Sequence, residues 1–172
     1  MKKVYTMSVF LIAFNMLFGL IVAPVASFTQ DDTIKQKIEN AASKNSNLRD
    51  GSKVKIAVEN GYVVLYGTAD RYIQKMLFEK IAWKTEGVVE VENEIQIVPK
   101  SPQADAAIER RIKEILQTYP QFQGVSVSVS VKAGAVDVLI RLNHPADVVF
   151  LKNRIAEIEG VISIDIQAKF IA

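Results

Sequence analysis

The residues able to do chemistry in this chain are few and scattered. His144 is its one histidine and sits in "LNHPAD", directly ahead of a proline. A histidine acting as general base or metal ligand needs partners of matching chemistry. None lies near His144 in sequence, so it reads as a turn or capping residue before a helix. Asp31 and Asp32 stand together, which suits a helix start where carboxylates meet free amide donors and the positive dipole end. Calcium would want several more oxygen ligands than this pair supplies. Glu90, Glu92 and Glu94 alternate in "EVENEIQ" and so share one face of a strand. That face is a solvated one, or a surface for a partner's basic groove. The chain has no cysteine, which excludes disulfides, thiolate catalysis, thiolate metal sites and a lipid-modified N-terminal cysteine. There is no phosphate-binding loop and no Gly-x-Ser-x-Gly. The sequence therefore predicts no enzyme, no cofactor and no metal site.

The more informative pattern is a helical one. Asp70 to Thr85 reads as a helix, and at about 100° per residue its core side is Leu77, Phe78 and Ile81 with Ala82 beside them. Roughly opposite lie Tyr72, Met76 and Trp83, flanked by Lys75, Lys80 and Lys84. Tryptophan and tyrosine favour the headgroup zone of a bilayer, and lysines there meet anionic lipid. The same stripe would equally serve packing between two domains or within a homo-oligomer, because an exposed apolar patch marks either kind of contact.

What positions this helix is a unit that occurs twice. With Gly61 set over Gly134, an offset of 73 residues, Val54, Ile56 and Val58 fall on Val127, Val129 and Val131. Val63 and Leu65 fall on Val136 and Val138, and Gly87, Val88 and Val91 on Gly160, Val161 and Ile164. Upstream, Ile34 and Ile38 match Ile108 and Ile112 with one residue of slippage. A long period present twice means a duplicated domain rather than a solenoid. Each copy reads helix, strand, strand, helix, strand. "KVKIAVENGYVVLYG" is a hairpin turning at Asn60-Gly61, with Val63 and Leu65 towards the helices and Tyr62, Val64 and Tyr66 away from them. Gly67 is expected to let the chain bend out of the sheet. The second copy runs Asp105 to Thr118, Val125 to Val131, Ala135 to Leu142, Pro145 to Glu159 and Val161 to Phe170. Its second helix carries Val148, Val149 and Phe150, more apolar residues than one stripe needs.

The fold class is therefore α+β: two tandem αββαβ domains, each a three-stranded mixed sheet covered on one face by two helices. The divisions are 1–27 for an export segment, 31–98, a linker at 99–103 ("PKSPQ") and 104–171. Lys2 and Lys3 precede an uncharged run to Ala26 that ends in small residues, the pattern of a secretory signal peptide cleaved after Ala26 or Ser27. The run also approaches the ~20 residues that span a bilayer, so an uncleaved anchor stays open. Without Lys2 and Lys3 the 21 basic residues fall to 19, against 19 acidic ones. That balance argues against nucleic acid as a partner, which needs a basic surplus.

The order of elements, "NGYVVLYG" after an alternating strand, and "IAWKTEGVVEVENEIQI" resemble the BON domain, a module of bacterial envelope proteins often found in tandem behind a signal peptide. The first copy carries Gly61, Val63, Leu65, Gly67, Ile81, Ala82, Gly87, Val88, Val91 and Asn93. The second keeps Gly134, Val136, Gly160 and Val161 but has Ile140 and Ile166 where the first has Gly67 and Asn93. The resemblance implies a periplasmic protein, anchored in the inner membrane if the first segment is uncleaved, without catalytic activity. It implies attachment to phospholipid surfaces or to envelope proteins, in some members under osmotic or envelope stress. The alternative is a protein-directed assembly module that ignores lipid.

Overall fold

The computed structural model describes residues 29–170, and the expected export segment, 1–27, lies outside them. In chain order the elements are α1 (Gln30–Lys44), α2 (Ser46–Arg49), β1 (Ser52–Glu59), β2 (Tyr62–Ala69), α3 (Tyr72–Trp83), β3 (Glu90–Ile97), α4 (Asp105–Thr118), β4 (Val127–Lys132), β5 (Ala135–Leu142), α5 (Pro145–Ala156) and β6 (Ser163–Phe170). A single 3-10 turn, Pro120–Phe122, follows α4. The architecture is α+β. Two three-stranded mixed sheets are ordered β1-β2-β3 and β4-β5-β6, antiparallel in the first pairing of each and parallel in the second. The parallel pairings are made across the α3 and α5 crossovers, as parallel strands require.

Period-two alternation places one apolar row of each strand under the helices. In the first unit Ile56, Val63, Leu65 and Ile95 meet Ile34, Ile38, Phe78 and Ala82 in one buried cluster. In the second, Val136, Val138, Ile140 and Leu142 meet Ile108, Ile112, Leu151 and Ile155 in another. The opposite face of the first sheet is open. There Lys55, Tyr66 and Glu94 lie side by side across the three strands, as do Glu59, Tyr62 and Glu90, and all six are exposed. The two units touch where α3 meets α5, and Tyr72 packs against the second cluster.

Three sequence expectations change. First, α1 is capped by Thr29, not by Asp31 or Asp32. Asp32 completes the cap from inside the first turn by accepting from the Thr29 amide at 3.2 Å and hydroxyl at 2.9 Å, which holds its carboxyl below the ordinary range. Asp31 is thereby free to reach across to the hairpin. Its two carboxylate oxygens accept the backbone N–H groups of Asn60 at 2.8 Å and Gly61 at 3.0 Å. Asp105 does the same for Ala133 at 2.8 Å and Gly134 at 2.9 Å. Second, Gly67 does not release the chain from the sheet. It stays paired with Val54, and β2 runs on to Ala69. Its φ of 116° and the Lys53 carbonyl against its α-carbon leave no room for a side chain. Third, α3 and α5 are shorter at both or one of their ends than the periodicity suggests, because Lys84 and Glu157 already act as C-caps. The apolar pattern continues into the loop that follows, where Val88 and Val161 still pack inward.

Both central residues of each hairpin turn have positive φ: Asn60 at 52° and Gly61 at 80°, Ala133 at 50° and Gly134 at 79°. A Cβ on Gly61 would lie 2.7 Å from the Gly87 carbonyl oxygen, whereas one on Gly124 would meet nothing within 4 Å. Both glycines are left-handed, so Ala at either pays the conformational cost of about 1–2 kcal/mol, and only Gly61→Ala also pushes on backbone. Chemical denaturation should show Gly61→Ala to be the more damaging of the two. Asp31→Ala should cost about 1–3 kcal/mol through its lost charge-assisted bonds. Ala133→Asn should stabilise by a few tenths to about 1 kcal/mol, because Asn tolerates the left-handed region better.

Candidate functional site

The candidate surface is carried on α3, and a buried amide aims it. Gln74 is fully buried. Its Oε1 accepts the backbone N–H groups of Asp70 and Arg71, each at 3.1 Å, satisfying donors at the entrance to the helix. Its Nε2 donates to the carbonyls of Asn47 at 3.0 Å and Asp50 at 2.7 Å. One side chain therefore ties the β2–α3 corner to the end of α2. Along the helix, Asn93 of β3 donates to the Lys75 carbonyl at 3.1 Å and to the Glu79 carboxylate at 2.9 Å. Those contacts fix the rotation of α3 about its axis. Phe78 and Ala82 are buried, and Leu77 and Ile81 pack on the same core, so the opposite side must face outward.

The outward stripe is not uniform. Tyr72, at its start, lies half-buried against the second unit, where burial raises its phenol pKa, aided by the negative charge of Glu79. The Lys75 ammonium is turned back onto the first sheet and donates to the Ile95 carbonyl at 2.9 Å. Met76 is half-buried. Only the far end is open: Trp83 is 52% exposed, with Lys80 and Lys84 exposed beside it. Of the six stripe residues, the structure thus brings Lys80, Trp83 and Lys84 together in solvent and uses Tyr72 and Lys75 for internal contacts. The residue buried between the units is Tyr72, not Trp83. Periodicity could not separate the two ends, since only the position of the second unit distinguishes them.

Sequence reasoning missed Gln74, although a glutamine three residues after Arg71 at a helix entrance is a capping signal. It also missed the clamp from Asp31 and Asp105 to the turns. The one-residue slippage of the helices carries the signal there, because it sets Asp31 over Asp105. His144 is exposed at the N-cap position of α5 and makes no side-chain cap bond. Glu90, Glu92 and Glu94 lie exposed on the open face of the first sheet. Among the described residues no group of three or more His, Cys, Asp and Glu is placed to hold a metal, and no helix is long and apolar enough to cross a membrane.

A three-stranded sheet with two helices on one face, glycines at its turns and its polar side chains spent on caps and clamps is a scaffold that offers surfaces. Residues 30–99, which make up the first unit, match the family model of the BON domain. An "Uncharacterized protein in gshII 5'region" of Anaplasma centrale is 30% identical over 90 residues, 49% of this chain. The match spans 60% of that relative's length. Among solved structures, the chain is similar to the C-terminal domain of CdsD, described as the structural protein of the type III secretion system of Chlamydia trachomatis. Identity is 17%, over 83% of this chain and 66% of that one, with a TM-score of 0.30. A second CdsD structure gives 11% identity over 79% of this chain and 91% of that one, with a TM-score of 0.28. Likenesses of that size carry no argument about what this chain does.

Gln74→Leu should lower stability by about 3 kcal/mol or more, since it strands several inward-facing backbone groups at once, and denaturant melts would show it. Tyr72 makes a separate prediction about pH. Folding raises its pKa, so its contribution is complete below pH ~10, the ordinary tyrosine value, and is lost as pH climbs through the raised one. In an absorbance titration of the five tyrosines, the latest-ionising component should disappear in Tyr72→Phe.

Proposed function

We propose that this chain is a non-catalytic binding protein of the bacterial envelope, exported by its first 27 residues and built of two BON-like domains, 31–98 and 104–171, joined at 99–103. Its periplasmic setting rests on the export pattern of that first segment together with the family of the first unit. It attaches to phospholipid surfaces through the open end of α3. The observation that carries this reading is Trp83, half exposed on a helix whose other large apolar residues are covered, between two free lysines. An indole at the headgroup level with ammonium groups on either side is the arrangement that anionic lipid favours. The two-domain division is supported by the separate buried clusters.

The second reading is assembly: the same end of α3 would seat another protein or another copy of the chain. The half-buried Tyr72 favours it, because the near end of this stripe already serves protein–protein packing.

Trp83 is the one tryptophan in the chain, so its emission reports on this surface alone. With vesicles of anionic phospholipid the emission should shift to the blue and the chain should co-sediment. Trp83→Ala should abolish co-sedimentation. Each lysine near an anionic surface contributes about 1 kcal/mol, so replacing Lys80 and Lys84 together should weaken binding roughly 30-fold. Raising salt should have the same sense. A chain that leaves vesicles untouched but self-associates through Trp83 would establish the assembly reading in place of the lipid one.

A further inference from the structure

The two units differ in how their helices meet. In the first, α1 packs directly on α3. In the second, Phe150 and Ile155 stand where α3 has Leu77 and Ala82, and Tyr119 meets Phe150 edge to face with ring centroids 4.8 Å apart. Between α4 and α5 lies a groove of about 700 Å³.

Charge in the groove is balanced. Arg110, Arg111 and Arg154 line it together with Glu114, Glu157 and Glu159. Arg110 and Arg111 share Glu114, at 4.0 and 3.2 Å. Arg154 is held differently. Its Nη1 meets Glu157 at 2.8 Å, and its guanidinium lies over the Tyr119 ring, 5.7 Å from the centroid. Its Nε is buried and, among the described residues, is the one buried side-chain polar atom without a hydrogen-bond partner. A buried donor left in that state is costly unless something supplies an acceptor.

We propose that this groove binds an organic monoanion, a carboxylic acid with an apolar body. The carboxylate is received by the Nε–Nη2 edge of Arg154, and the body lies along Ile115 and Ile158. A guanidinium edge matches a planar carboxylate through two parallel hydrogen bonds. The volume is that of a small-ligand site. The lining's three arginines are matched by three carboxylates, which leaves no surplus of positive charge for a polyanion, so a single charge carried on apolar bulk is what fits. This site is on the second unit and does not depend on how Trp83 is used. A fatty acid and the free C-terminus of an apolar peptide present the same head group, and the test separates them.

The whole chain is titrated with octanoate and, separately, with acetyl-Leu-Leu bearing a free carboxylate. The neutral controls are octanamide and the amidated peptide. Methyl resonances of Ile115 and Ile158 give the readout. One or both acids should shift these methyls and the amides should not; the acid that binds identifies the source. Arg154→Lys keeps the charge but loses the two-pronged edge, and should weaken binding at least tenfold. Ala107→Phe narrows the groove without touching a charge and should also weaken it. Equal binding of acids and amides, undiminished binding by Arg154→Lys, or no response to either acid at millimolar concentration would overturn the proposal.

Discussion

The fold hangs on one clamp, made twice: an aspartate in the first turn of a helix gripping the two amides of a hairpin turn. A tight hairpin of this kind needs positive φ at both central residues and leaves its amides pointing out of the sheet. Asp31 and Asp105 take those amides, so the first helix of each unit is bound to the first hairpin before any apolar contact is counted. The loop after the second helix closes on the same point. The Val89 amide donates to the Gly61 carbonyl and the Ile162 amide to the Gly134 carbonyl, each at 2.9 Å. Helix, hairpin and third strand thus converge on one glycine, which explains why a side chain there has nowhere to go. The same knot is made in both units.

Around that shared knot the copies diverge in ways that determine what each can present. The first spends polar groups on fixing α3: Gln74 holds its entrance, Asn93 its middle, and Gly67 lets β1 and β2 approach closely. In the second, Ile140 and Ile166 replace Gly67 and Asn93, and Ile140 fills the core. Nothing comparable to Gln74 ties down α5, whose first turn has Asp147 at that place. Side-chain hydrogen bonds hold the second helix in the first unit, whereas α5 rests on apolar packing. The first unit is left with a well-aimed helix whose far end is bare, and the second with two helices standing apart over a charged cleft.

Much of this was legible from residue order. Alternation in "KVKIAVEN", the Asn60-Gly61 turn and the 73-residue repeat led to the two mixed sheets, and α4 and β5 begin and end where the periodicity places them. Local interactions were legible only where one residue type has one use. Asp31 suits a cap because carboxylates at helix starts usually are caps; Thr29 takes that place, and the long-range role of Asp31 depends on a turn nearly thirty residues away. Gly67 suits a bend because glycine permits one, whereas here it serves a close approach between neighbouring strands. The short α2 escaped notice because four residues carry too little periodicity to register.

The sequence by itself determined the five longer elements of each unit, their order, which face of each strand is apolar, and the absence of any assembled set of cysteine or histidine groups. These follow from periods of two and 3.6 residues and from composition, which act over short stretches of chain. Only the tertiary structure decided that Tyr72 is covered while Trp83 is bare, that the Lys75 ammonium turns inward, and that Arg154 keeps a buried donor without an acceptor. Each of those outcomes depends on what lies across a gap in space, and a helix's own spacing carries no record of its neighbour.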